Sequence, residues 1–172
     1  LEYCDYKYNW VRVTEMQRAN IEESTEIQSL PLNEFSQRKT YIDGLGRPMQ
    51  ENIYGGSPAG NDLVTPIQYD NLGRQLYNFL PYTKTSRSGE YVVQSVGSDM
   101  ENYAGSPHQS FYQIAPNVAH DTSPYSEKVF ESSPLNRVLE QGAPGAAWQP
   151  VPDNTGTPED ESLNGKTIRF AY

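Results

Sequence analysis

The sequence predicts an all-β fold, an array of antiparallel β-hairpins with long irregular loops, and three observations lead there. A bend of one chemistry occurs twice, as Ile42-Asp43-Gly44-Leu45-Gly46-Arg47 and as Tyr69-Asp70-Asn71-Leu72-Gly73-Arg74, with the two aspartates 27 positions apart. Strand-forming residues flank both bends. Only 35% of the 172 residues are apolar, and thirteen tyrosines supply much of the aromatic content. Such a composition suits a thin sheet whose tyrosine rings are buried while their hydroxyls reach water or a carbonyl.

Each bend has a mechanism of its own. An aspartate side chain bonds back to the amide two residues on, and the glycine takes the positive φ that closes a four-residue turn with a bulge. Asp43, Gly46 and Arg47 carry this in the first copy, and Tyr69, Asp70, Gly73 and Arg74 in the second. The arms predict hairpins over residues 37–54 and 63–82. Pro66 lies inside an incoming arm, where its missing amide hydrogen requires a sheet edge or a bulge.

Before the first hairpin, residues 1–36 read as a strand and a polar crossing. Tyr6, Tyr8 and Trp10 alternate, Val11 and Val13 follow, and the strand is expected over Leu1 to Val13. From Thr14 to Leu30 an irregular or extended crossing competes with a helix, and Pro31 ends either. Residues 83–123 are rich in Ser, Gly and Asn. One strand is expected there, at Ser110 to Ile114, and part of the remainder is expected to lie across a sheet, since a structureless loop of this length is uncommon. A third, degenerate hairpin is predicted over residues 128–141, with Asn136 before Arg137 in the place of the glycine. Asparagine is the next residue to tolerate positive φ. Gly142 to Gly145 turns the chain toward Trp148. Residues 149–172 form an acidic loop, with Asp153, Glu159, Asp160 and Glu161, and a closing strand from Lys166.

Tyr69 to Arg74 resembles the Y-D-x-x-G-R signature of the tyrosine-aspartate repeats of RHS proteins. A wider set narrows the resemblance: Tyr41 to Pro48, Gly56-Ser57-Pro58, Asp62 to Thr65, Tyr69 to Tyr82, Pro124 to Glu127 and Ser133 to Arg137. In that order and register, from about Thr40 to Trp148, they resemble the domain of unknown function that precedes the repeat shell in large RHS-type proteins of Bacteroidetes. The first copy has Ile42 where the repeat has tyrosine. The resemblance implies a structural module, part of or a lid on a β shell that encloses a toxic or otherwise variable C-terminal segment. It implies as partners the remainder of a longer chain, its repeats and enclosed segment, and a secreted or cell-surface location. One end of something larger is expected also because the chain does not open on methionine and closes on strand-like residues.

A net charge of −9 without a basic cluster argues against nucleic acid and against anionic membrane surfaces. No run reaches the length of a membrane span. Cys4 stands alone, so no internal disulfide forms.

Candidate chemistry gives way to structural explanations throughout, so no catalytic, cofactor or metal residue is predicted. His108 and His120, with Asp99 or Asp121, match no ligand spacing and read as surface loop histidines. Gly44-Leu45-Gly46 lacks the third glycine and the helix of a dinucleotide fingerprint. The acidic loop lacks the register of a calcium site. Arg47, Arg74 and Arg137 each follow a bend and are expected to stack on a tyrosine or bind a bend aspartate, tying one hairpin to the next. Tyr69, Tyr77, Phe79 and Tyr82 offer a second function, a glycan- or protein-binding aromatic platform. Burial of Tyr69, Tyr77 and Phe79 by the chain's own strands is the discriminator.

Overall fold

The computed structural model describes residues 8–19, 21, 26–150 and 166–172. Cys4, the first part of the expected N-terminal strand and the acidic loop with Asp153, Glu159, Asp160 and Glu161 lie outside the described residues. Strands in antiparallel sheets dominate, in agreement with the predicted all-β class, and the described residues contain one α-helix. The chain divides into two compact units. The first holds residues 1–66 and 81–93, the second residues 67–80 and 94–172.

In the first unit, β1 (Asn9–Met16), β2 (Phe35–Ile42), β3 (Pro48–Ile53), β4 (Leu63–Pro66) and β6 (Tyr82–Thr83) form one antiparallel sheet in that order. β1 runs three residues past the expected end at Val13, because Thr14, Glu15 and Met16 pair with Gln37, Ser36 and Phe35. A strand therefore takes the start of the expected polar crossing, and a short 3-10 turn at Glu26–Ser29 lies near its end. Pro66 faces Gln50 of β3, while β6 reaches only Leu63 and Val64. No ladder bond is asked of the proline on that side.

Period-two alternation puts Phe35, Tyr41, Gln50, Asn52, Val64 and Tyr82 on one face of this sheet, and all six are buried. Two of the six, Gln50 and Asn52, are amides, so a third of the face is polar, and buried amides must find partners. They find them in the backbone of residues 89–92, which lies across the sheet. Tyr41 donates its hydroxyl to Gly89 O at 2.7 Å, and Asn52 Nδ2 donates to Glu90 O at 2.7 Å. The Gln50 amide accepts from Val92 N–H in either of its orientations, at 3.3 or 3.1 Å. Asp62, fully buried, holds the same segment from its start by accepting the N–H groups of Gly55, Ser88 and Gly89 at 3.0, 2.8 and 2.6 Å. Gly89 turns there with φ of 63°, between the carboxylate and the tyrosine hydroxyl.

The second unit contains β5 (Tyr77–Phe79), β7 (Tyr125–Phe130), β8 (Val138–Gln141) and β9 (Ile168–Arg169), an antiparallel sheet in that order, and helix α1 (Pro107–Ile114). Phe79, Val96 and Tyr103 form its core, with Tyr77, Met100 and Tyr125 against them. The rings meet edge to face, Phe79 and Tyr125 at 5.6 Å and Tyr103 and Tyr125 at 5.5 Å between centroids, an arrangement aromatic quadrupoles favour.

The first and third predicted hairpins are present as β2–β3 and β7–β8. The second is present in interrupted form. Leu63 and Val64 pair with Thr83 and Tyr82, and Ile67 bridges Asn78 nearer the bend, while Tyr77–Phe79 on the return side form β5 and pair with β7.

The strand expected at Ser110 to Ile114 is instead the body of α1. Ser106 caps that helix by accepting from Gln109 N–H at 3.2 Å, Pro107 stands in its first turn, and Gln109 Oε1 accepts from Gly105 N–H at 2.7 Å. These are helix-start signals within four residues, and they override the short β-like alternation that follows.

Removing one amide from the polar face tests how the 88–92 segment is held. Asn52→Ala leaves the Glu90 carbonyl without its donor and is expected to cost about 1–3 kcal/mol in urea unfolding, with faster tryptic cleavage after Arg87.

Candidate functional site

The bends repeat one pairing of a carboxylate with an arginine, and their geometry builds up from the carboxylate. Asp43 Oδ1 accepts from Leu45 N–H at 2.9 Å and from Arg47 N–H at 2.8 Å, while Oδ2 receives Arg47 Nε and Nη2, both at 2.8 Å. Backbone bonds Asp43 N to Arg47 O and Gly46 N to Asp43 O, at 2.9 and 3.0 Å, close the loop.

The second bend repeats the first almost atom for atom. Asp70 Oδ1 accepts from Leu72 N–H at 2.9 Å and Arg74 N–H at 2.8 Å, Oδ2 receives Arg74 Nε at 2.8 Å, and both closing bonds measure 2.9 Å. Gly46 and Gly73 have φ of 80° and 78°, a region that costs a side-chain-bearing residue energy and glycine none.

The third bend has the same logic in a longer loop. Glu131 Oε2 receives Arg137 Nε at 2.9 Å and Nη2 at 2.8 Å, its Oε1 accepts from Arg137 N–H at 3.2 Å and Ser133 Oγ at 2.6 Å, and Asn136 has φ of 52°. Glutamate replaces aspartate because six positions, not four, separate acid from arginine. Sequence reasoning missed Glu131. The available signal was Phe130-Glu131, a ring before an acid, as in Tyr69-Asp70.

All three acids are held below their usual range. For Asp43 the main cause is the Arg47 backbone N–H, aided by the guanidinium. At Asp70 partial burial pushes up, and the N–H groups of Arg74 and Leu72 with the Arg74 guanidinium outweigh it. The Arg137 guanidinium, with Ser133, brings Glu131 down to about 2. A carboxylate so occupied serves geometry and not proton transfer.

The arginines also reach past their own bends. Arg74 Nη1 donates to Asn136 Oδ1 at 3.0 Å, and its guanidinium lies 4.8 Å from the Phe130 ring centre. Arg137 lies 4.7 Å from the ring centre of Tyr172. The second and third bends are thus joined.

Over residues 12–161 the sequence matches the family model described as Domain of unknown function (DUF6443). The chain belongs to that family. No curated protein matches it.

The other candidate groups of this DUF6443 member separate into core and loop. His108, expected on a surface loop, is fully buried in α1. Its Nε2 lies 2.8 Å from Leu80 O and its Nδ1 2.8 Å from Tyr103 Oη. A carbonyl can only accept, so Nε2 carries the proton and Nδ1 accepts from the tyrosine hydroxyl. Burial pushes the imidazole down to about 4, against the opposing Leu80 bond. Its neighbours are rings, Phe79 at 5.3 Å and Tyr112 at 5.2 Å. The local sequence reads as loop because the helix start lies just ahead of it.

His120 is exposed, with Nε2 3.1 Å from Ala115 O. Asp99 binds Asn102 and Ser98 in its own loop, and Asp121 accepts from Ser123 and Ala146 N–H. Among the described residues no group of three or more His, Cys, Asp or Glu could hold a metal ion, and no helix is long and apolar enough to cross a membrane. Of the aromatic stripe, Phe79 and Tyr82 are buried, while Tyr69 and Tyr77 are half-buried.

Arg74→Lys removes the planar fork that meets Asp70, Asn136 and Phe130 together. It is expected to cost about 1–2 kcal/mol in denaturant unfolding, with Asp70→Asn in the same direction. His108 supplies a pH dependence. Its folded value lies below the unfolded value near 6.5, so the unfolded chain binds more protons between about 4 and 6.5, and stability falls as pH drops through that window. The loss is about 3 kcal/mol at most. Glu127, pushed up by burial, acts in the opposite sense, so the measure is the difference between wild type and His108→Gln, whose urea midpoint should fall less from pH 6.5 to 4.

Proposed function

We propose that this chain is a non-enzymatic structural module of a larger, secreted RHS-type repeat protein, contributing to or capping a β shell around a variable, in some cases toxic, C-terminal segment. The observation that carries the reading is the second bend. Tyr69 to Arg74 has the repeat signature, and the Asp43 bend reproduces its bonds within about 0.1 Å. A device used repeatedly with one geometry is what a repeat architecture requires, since each two-stranded unit is marginal alone and is stabilised by its neighbours. The engagement of all three bend arginines with their own carboxylates supports the same reading. The burial of Phe79, with Tyr69 and Tyr77 half-buried, weighs against an aromatic platform for glycans or proteins.

The test is thermal unfolding of this chain by itself and within the longer polypeptide. A midpoint several degrees higher in the longer polypeptide is expected, as neighbour contacts add to a marginal unit. A steep transition at an unchanged midpoint would overturn the module reading.

A further inference from the structure

The bend arginines of the second unit follow a rule of position. Arg74 leads into β5, and its guanidinium covers Phe130 at the end of β7, the strand beside β5. Arg137 leads into β8, and its guanidinium covers Tyr172, just past β9, the strand beside β8. The two separations, 4.8 and 4.7 Å, are alike. Tyr172 therefore stands to β8 as Phe130 stands to β5. Phe130 has a second role, because it immediately precedes Glu131, the acid of the bend that turns β7 into β8.

β9 is the last strand of its sheet, and among the described residues nothing pairs with its outer edge. Phe170 N donates to Leu139 O at 2.9 Å, so the Phe170 amide points inward and those of Arg169 and Ala171 point away from β8. Beside these outward donors lies an exposed apolar strip. Ile168 is 64% exposed, Phe170 42% and Leu139 40%, and their register places them on one face. An unpaired edge with apolar side chains is a template for another strand.

We infer that the outer edge of β9 receives an antiparallel strand of the longer polypeptide, led in by a further carboxylate–arginine bend that stands in chain order to Tyr172 as the Glu131–Arg137 bend stands to Phe130. This rests on the reading of the chain as one module of a longer protein. The occupant is set by continuity: the sheet already adds β8 to β7 through such a bend, the β9 edge presents an aromatic ring in the equivalent place, and among the described residues no strand takes the next position.

Hydrogen exchange at the amides of Arg169 and Ala171 tests it, on this chain by itself and within the longer polypeptide. Protection on the order of 100-fold greater in the longer polypeptide is expected. Ile168→Asp, at an exposed position, should abolish that gain while leaving the unfolding of the isolated chain unchanged. If the unfolding midpoint rises in the longer polypeptide while both amides exchange equally fast in either form, the β9 edge is not the seam and the module reading stands. If neither midpoint nor protection changes, the module reading falls and the seam with it. Protection that grows with the concentration of the isolated chain would make a second copy the occupant and overturn the inference.

Discussion

A carboxylate that takes over the donors of a tight bend is the interaction on which the hairpins of this protein depend. A bend that reverses two strands leaves backbone N–H groups facing inward with no strand to meet them. Asp43 and Asp70 each accept two of these and then anchor the guanidinium of the residue that starts the return strand. The bond to the backbone and the bond to the side chain come from opposite oxygens of one group, so the bend and the first residue of the strand are set together. Charge assistance makes these bonds stronger than neutral ones.

The same economy of polar bonds organises the interiors. With so little apolar content, the first unit buries amides and a carboxylate and satisfies them from the backbone of one irregular segment. Asp62, Tyr41, Asn52 and Gln50 grip residues 88–92 in turn. That segment needs no regular structure of its own, because side chains stand in for the strand it lacks. In the second unit His108 does a comparable task, joining the Leu80 carbonyl to Tyr103 inside an aromatic core. Buried polar networks of this kind impose one arrangement, since each unpaired member would be costly in a dry interior.

Much of this was legible in the residues, and the misses have two causes, one long-range and one local. The first and third hairpins, the positive φ at Asn136 and the arginine–carboxylate pairing at the two aspartate bends all arise between residues close in sequence. The interruption of the second hairpin does not, because β5, on its return side, pairs with β7 far along the chain. The helix at residues 107–114 was hidden for a local reason. Its cap, Ser106-Pro107-His108-Gln109, is explicit, yet the short alternation of Ser110 to Ile114 taken by itself favours a strand.

By itself the sequence determined the bends, since an acid, a glycine or asparagine and an arginine within a few positions close their own hydrogen-bonded ring with no help from elsewhere. Tertiary structure alone decided which strands the arms would join, that Gln50 and Asn52 would face inward, and that a histidine in polar surroundings would be fully buried. Those outcomes depend on competition among distant segments for the same backbone donors and the same dry space, and no local stretch of residues carries the result of that competition.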